Sequence, residues 1–222
     1  IIVALPFILK KHPDTHLVVV GSGVSRELFE ALVYAIARKN ETLLDTLVDK
    51  GYDLDPIELS GPWSDVKSFL SDNNNKTELF ANGSSLLEHV HFLGRLDHDL
   101  LRCVFPCSDV GFFPSIVPEA YANVLFEALS NGVFPMASYF TGLACGLDAL
   151  VPFLGHELVD MMKISIDDVT RISGLIRSLS KILSNNEIEA VSPKLRKIAV
   201  ENFDWEIRAQ QMLAAYSKFI SI

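Results

Sequence analysis

The sequence predicts an α/β fold, with a parallel sheet covered by helices on both faces to give three layers. Three observations predict it. Val110-Gly111-Phe112-Phe113 is an apolar strand that ends in Pro114 and is followed by a loop, a helix and a second apolar strand. His16 to Val20 is continuously apolar after its histidine and is closed by Gly21-Ser22-Gly23, the pattern of a strand buried on both faces. Strand-like and helix-like segments then alternate along the chain, as parallel sheets with helical crossovers require.

The elements follow in order. Residues 1–11 read as a helix stopped by Pro13, and residues 16–20 as the buried strand. Gly21-Ser22-Gly23 is a tight turn. Apolar spacing predicts helices over 26–38 and 41–50. Residues 53–62 read as irregular, 63–71 as a short helix and 71–76 as a polar loop. The next strand is 90–93, followed by a helix over 97–106 with Asp97 at its N-cap. Residues 110–113 form a strand, 120–130 a helix ended by Asn131-Gly132, and 134–138 a strand. Residues 141–150 read as a loop or short helix and 157–161 as a strand. Residues 166–183, 187–201 and 206–219 read as helices. The chain is expected to be one domain, with residues 31–87 as an elaboration between the second and third strands of the sheet. The usual connection in such units is much shorter.

Composition sets bounds. The chain has 222 residues, is 49% hydrophobic and carries a formal charge of -9. An acidic chain is a poor general binder of nucleic acid. Its apolar stretches, such as residues 1–9, are too short to span a bilayer. No secretory signal is recognisable, and Ile1 falls inside an expected helix, so the chain is expected to begin mid-protein. Three cysteines without disulfide-like spacing suit a reducing, cytoplasmic compartment. Three Asn-x-Ser/Thr sequons, at Asn40, Asn75 and Asn82, read as chance in an Asn-rich segment.

The informative place is the junction between the strand at 110–113 and the helix after it. Ligands of parallel α/β sheets bind at such junctions. Helix N-termini offer free N–H groups and the positive end of a dipole, where phosphate sits readily. Here those groups belong to Ala122, Asn123 and Val124. Glu119 and Glu127 flank the same place. A carboxylate repels phosphate but accepts hydrogen bonds from hydroxyls, which points to ribose or another sugar. Counted as helix, the two are about 12 Å apart, enough to hold different parts of one extended ligand. A sugar joined through a diphosphate to a nucleoside fits that length.

Glu119-x7-Glu127, preceded by Pro114-Ser115 and followed by Ala128, Gly132 and Pro135, resembles the signature of retaining nucleotide-sugar glycosyltransferases of family four. Val90 through Leu96 resembles the strand and loop under the nucleobase, which brings in Gly94 and Arg95. Leu17 through Gly23 resembles the second strand of the same domain, with Gly21 in its turn. Phe203-Asp204-Trp205 through Tyr216 resembles the closing helix. The resemblance implies the GT-B fold, in which two Rossmann-like domains face each other, and identifies this chain with the C-terminal, donor-binding one. It implies a nucleotide-sugar donor, an acceptor sugar or lipid-linked glycan, and an N-terminal acceptor domain that these residues do not include. Glu119 would orient the donor sugar as the catalytic-site carboxylate, and Glu127 would hold the ribose. Ala122, Asn123, Val124, Gly94, Arg95, Gly21 and Gly142 would line the donor site. No cofactor and no metal are expected, and any peripheral contact with a membrane would be made by the missing half.

The chain also departs from the family. The Arg and Lys that grip the diphosphate have no counterpart here. Where many members carry Gly-Gly-x-Pro-Glu, this chain reads Thr141-Gly142-Leu143-Ala144-Cys145 and keeps only Gly142. Other sites read as structural. Gly21-x-Gly23 lacks the third glycine of a dinucleotide fingerprint. Cys103 and Cys107, four apart, read as core packing because no further metal ligand is near. Phe203 and Trp205 read as core anchors of the last helix. The histidines are scattered and no Gly-x-Ser-x-Gly elbow occurs. Three other readings stay open: a catalytically silent nucleotide-sugar-binding module, a phosphate-dependent glycosyl phosphorylase of the same fold, and an unrelated dehydrogenase. The broken glycine fingerprint speaks against the last.

Overall fold

Parallel strands cannot be joined by hairpins, so each needs a long crossover. This chain supplies them as helices. The computed structural model describes residues 1–23, 25–54, 60–121 and 123–220. In chain order the first part contains α1 (Leu5–Leu9), β1 (Leu17–Val20), α2 (Arg26–Ala37), α3 (Glu41–Lys50), α4 (Ser64–Leu70), α5 (Asn73–Asn82), α6 (Leu86–His89) and β2 (Val90–Gly94). Then come α7 (His98–Val104), β3 (Val110–Phe113), α8 (Asn123–Ser130), β4 (Phe134–Ser138), α9 (Thr141–Asp148), α10 (Val151–Leu154), α11 (His156–Met162) and β5 (Lys163–Ile164). The chain continues through α12 (Ile166–Val169), α13 (Ile172–Leu183), α14 (Glu187–Asn202) and α15 (Trp205–Ile220). The fold is a helix-rich α/β one, and its strand pairs are parallel. The strands form two sheets, β1-β2 and β3-β4-β5. They belong to two compact units, Ile1–His98 with Asp167–Ser184, and Asp99–Ile166 with Asn185–Ile222.

In the first unit, α1 packs on α5 and α13, and α2 on α3 and α6. Ile8, Ile36, Leu44, Leu79 and Leu86 form the closed core. Helix α13 has no capping side chain of its own at Arg171. Asp65 of α4 takes that role, its Oδ2 accepting the Ile172 N–H at 3.0 Å. Asn40 caps α3 by accepting the Leu43 N–H, and Asn75 donates to the Phe69 carbonyl. These two sequon asparagines thus have local structural work.

Strand β1 is not buried on both faces as its sequence suggests. Its burial alternates, with Val18 39% and Val20 41% exposed, as in a strand covered on one side. Residues 71–76 are not a loop either. Asp72 accepts the Asn74 N–H at 2.8 Å and starts α5, which buries Leu79 and Phe80. The expected irregular segment 53–62 begins in a 3-10 turn, Gly51–Leu54, and its residues 55–59 lie outside the described residues.

In the second unit, β4 is buried along its whole length, and α8 covers it through Leu125, Ala128 and Leu129. Pro135 has no N–H, yet sits in the middle strand. Strand β5 pairs only with Ala137 and Ser138, so Pro135 precedes the paired stretch on that side and opposes Gly111 on the other. Residues 157–161 are helical rather than extended. Val159 and Met162, three apart, share the buried face of α11, and the strand is the short β5 that follows. Cys103 and Cys107 are exposed rather than packed in the core. Among the described residues no helix is long and apolar enough to cross a membrane.

Candidate functional site

Strand β3 delivers the chain to its C-terminal end at Phe113, and the loop 114–120 carries it toward α8. Helix α8 begins at Asn123, later than the expected 120, and Ala122 lies outside the described residues. Glu119 therefore sits in the loop rather than on the helix, so the helical rise does not measure its distance from Glu127. Both glutamates are half-buried. Among the described residues neither carboxylate has a hydrogen bond or an ion pair. Either carboxylate can accept hydrogen bonds from the hydroxyls of a ligand.

The backbone of Glu119 is tied to the start of α9. Its N–H donates to Thr141 Oγ1 at 3.1 Å, and its carbonyl accepts from the Gly142 N–H at 2.9 Å. Thr141 holds φ at +42°, a left-handed conformation that costs a β-branched residue about 1–3 kcal/mol. Gly142 is buried, and a methyl group there would come within 2.5 Å of the Glu119 carbonyl oxygen. Gly142 thus meets the Glu119 loop by close backbone approach.

Glu127 lies on α8, in its second turn. It lines a cavity of about 660 Å³ together with Tyr121, Asn123 and Ser130. The opposite wall is the junction of α14 and α15, with Phe203, Asp204, Trp205 and Arg208. Tyr121 stacks on Phe126 at 5.5 Å, Phe126 meets Phe203 at 4.5 Å, and the Arg208 guanidinium lies 5.1 Å above Phe203. This volume lies within the range of small-molecule sites. Its aromatic walls suit the flat or apolar face of a ring, and Glu127 and Asp204 suit hydroxyls. Trp205 is 77% exposed, so it edges this cavity rather than anchoring a core. Glu119, Val124 and Gly142 do not line it.

In the first unit the structure gathers another group of expected residues. The Gly21 N–H donates to the Gly94 carbonyl at 2.8 Å, which ties the loops after β1 and β2 and sets Arg95 beside them. Gly94 adopts φ +73°. Arg26, at the start of α2, donates to the Phe92 carbonyl at 3.3 Å and pairs with Glu30. Arg26 carries no sequence signal of this link. Nothing in the apolar pattern marks it, because its link to β2 is a tertiary contact. Thr141 reads in the sequence only as a departure from the family pattern, and its bond to Glu119 is likewise a tertiary contact; Phe203 and Trp205 read as part of the closing helix and as core anchors, not as a cavity wall.

A third polar group lies where β4 ends and β5 begins. Tyr139 Oη donates to Asp148 at 3.0 Å, and Lys163 Nζ pairs with Asp148 at 3.2 Å and Asp160 at 3.1 Å. The hydrogen bond to Asp148 raises the Tyr139 pKa. Burial pulls Lys163 down, but its bonds to Asp160 and Asp148 outweigh that and leave it raised. All members are partnered, so this cluster fastens β4 to β5. Among the described residues no three His, Cys, Asp or Glu side chains converge to hold a metal ion.

No family model matches this chain. It is similar to a phosphatidyl-myo-inositol mannosyltransferase of Mycobacterium leprae, 25% identical over 154 residues that make up 69% of this chain and 38% of the relative. A protein of the same description from Mycolicibacterium smegmatis is 24% identical over 159 residues, 72% of this chain and 38% of the relative. The chain thus spans about two fifths of the length of these curated relatives. Among solved structures, a sucrose-phosphate synthase from Thermosynechococcus elongatus superimposes with a TM-score of 0.51 at 19% identity, covering 96% of this chain and 48% of the other. The fold is that of one Rossmann-like part of a GT-B glycosyltransferase, and the resemblance to glycosyltransferases read from the sequence has these relatives beside it.

Proposed function

We propose that the chain is the donor-binding domain of a retaining glycosyltransferase, which moves a sugar from a nucleoside diphosphate sugar to an acceptor hydroxyl. One observation carries the reading. Glu119 and Glu127, two half-buried carboxylates without partners among the described residues, stand at and beyond the C-terminal end of β3 in a chain similar to glycosyltransferases.

In this reading Glu127 accepts hydrogen bonds from the ribose hydroxyls, with Asn123 beside it at the start of α8. Glu119 accepts hydroxyls of the donor sugar. The free N–H groups at the start of α8 face the diphosphate and stabilise the negative charge that grows on it as the glycosidic bond breaks. The anomeric centre becomes oxocarbenium-like, and the acceptor attacks from the same face while the leaving phosphate takes its proton. The two glutamates position the donor and move no proton, unlike the paired carboxylates of glycosidases. The acceptor, a sugar or a lipid-linked glycan, is held by a further domain. The similarity to mannosyltransferases makes mannose donors the first to test.

Isothermal titration of the chain with uridine, guanosine and adenosine diphosphates, each free and joined to glucose or mannose, tests the reading. One base is expected to bind, with Glu119→Ala leaving the free diphosphate nearly unaffected and weakening the sugar-bearing form. Absence of binding by every member of the panel at millimolar concentration would overturn it. Binding without transfer by a longer chain that includes the acceptor side would instead favour the silent module.

A further inference from the structure

We propose that Thr141 is a positioning residue for Glu119, its hydroxyl fixing the loop that presents this carboxylate to the donor sugar. The proposal rests on the donor-site reading above.

Among the described residues, the loop 114–120 makes just two hydrogen bonds to groups outside itself. Both are on Glu119, and both come from the start of α9: the Thr141 hydroxyl takes its N–H, and the Gly142 N–H meets its carbonyl. The remaining bond in the loop is internal, from Ser115 Oγ to the Val117 carbonyl at 3.2 Å. Ile116 and Val117 are exposed and anchor nothing. The placement of the Glu119 carboxylate therefore depends on a two-point backbone clamp, and one point is a side chain.

The choice of residue is informative. Position 141 has φ +42°, where glycine is at ease and a β-branched side chain is strained. Glycine would relieve the backbone but would leave the Glu119 N–H without this acceptor. A residue that is locally unfavourable, yet makes one specific bond to the loop bearing the candidate carboxylate, fits strain retained for a positioning purpose. Serine could make the same bond, and valine keeps the shape without an acceptor.

Three variants separate positioning from simple stability: Thr141→Ser, Thr141→Val and Thr141→Gly. Two quantities are read for each, beside Glu119→Ala. One is the ratio of dissociation constants for free nucleoside diphosphate and the matching sugar nucleotide, taking the base and sugar that bind best. The other is the melting temperature. Thr141→Val and Thr141→Gly should each weaken sugar-nucleotide binding about 3- to 10-fold, the scale of one lost hydrogen bond, and leave the free diphosphate within about twofold. Thr141→Ser should keep the wild-type ratio. Thr141→Gly should melt no lower than wild type, because relief of strain offsets the greater freedom of the unfolded chain. A loss of sugar selectivity without a loss of stability is a signature that a merely structural residue would not give. If Glu119→Ala removes the selectivity while Thr141→Val and Thr141→Gly preserve it, the positioning role is overturned and the donor reading stands. If the two variants weaken both ligands equally and lower the melting temperature, Thr141 is structural and the proposal also falls. If Glu119→Ala itself leaves the ratio unchanged, the donor reading is what has failed.

Discussion

Gly142→Ala puts a methyl group where the structure has no room for it. The added carbon would lie 2.5 Å from the Glu119 carbonyl oxygen and 2.8 Å from both the Ala120 carbonyl carbon and the Tyr121 nitrogen. Relaxed contacts between non-bonded heavy atoms lie near 3.5–4.0 Å, so the overlap is roughly 1 Å. All three neighbours are backbone atoms, and none can escape by changing rotamer. The loop must retreat from α9, which costs about 1–3 kcal/mol by analogy with overpacked cores. It also stretches the Gly142 N–H to Glu119 carbonyl bond, worth about 0.5–1.5 kcal/mol. Alanine within a helix returns up to about 1 kcal/mol. The net loss is about 1–3 kcal/mol, or a fall in melting temperature of about 2–10 °C for a chain of this size. Calorimetry gives the melting temperature, and amide hydrogen exchange locates the change, with faster exchange expected at Glu119 and Gly142. Unaltered melting together with unaltered exchange at both amides would refute this close approach.

Other outcomes follow from the same structure. Glu127→Gln should weaken nucleoside diphosphate binding by about 1–3 kcal/mol, the loss of a charge-assisted hydrogen bond, and an unchanged calorimetric dissociation constant would remove Glu127 from the ribose site. Leu129→Ala, in the closed core between α8 and β4, should cost about 2–5 kcal/mol; denaturant unfolding that shifts by less than half of the lower figure would show that the site collapses around the gap. Lys163 and Tyr139 both have raised pKa values. Their stabilising contribution is therefore complete below the unfolded values near 10 and lost as pH climbs through the higher folded ones. Melting temperature should fall above about pH 10, and Lys163→Met should make that fall shallower; an equally steep fall in the variant would assign it to other groups.

The unit β3–α8–β4 was legible because its signals are local. An apolar run meets Pro114, the buried positions Leu125, Ala128 and Leu129 recur at helical spacing, and Asn131-Gly132 ends the helix. Helix α5 was not legible, since three asparagines look like a loop until Asp72 caps them and Leu79 and Phe80 find a core. The apolar run at β1 looks the same whether one face is covered or two, so its half-exposed state could not be read from residue types. Segment 157–161 is short, and a few apolar residues suit a strand as well as one buried helical face. At the candidate site, the glutamates were marked by their register with a family pattern. Their surroundings were not, because Thr141 reaches Glu119 across 22 positions and the wall facing Glu127 comes from the start of α15. Those are tertiary contacts without a periodic signature.

In the proposed function a nucleotide sugar binds at the C-terminal end of β3 and the start of α8. Amide-resolved NMR of the chain, titrated with the nucleotide sugar that binds best, tests it most directly. Shifts should concentrate at residues 115–121 and 123–130, with a second group at 141–143, and the 123–130 group should be lost in Glu127→Gln. Saturable binding whose shifts spare these segments and fall elsewhere in the chain would contradict it.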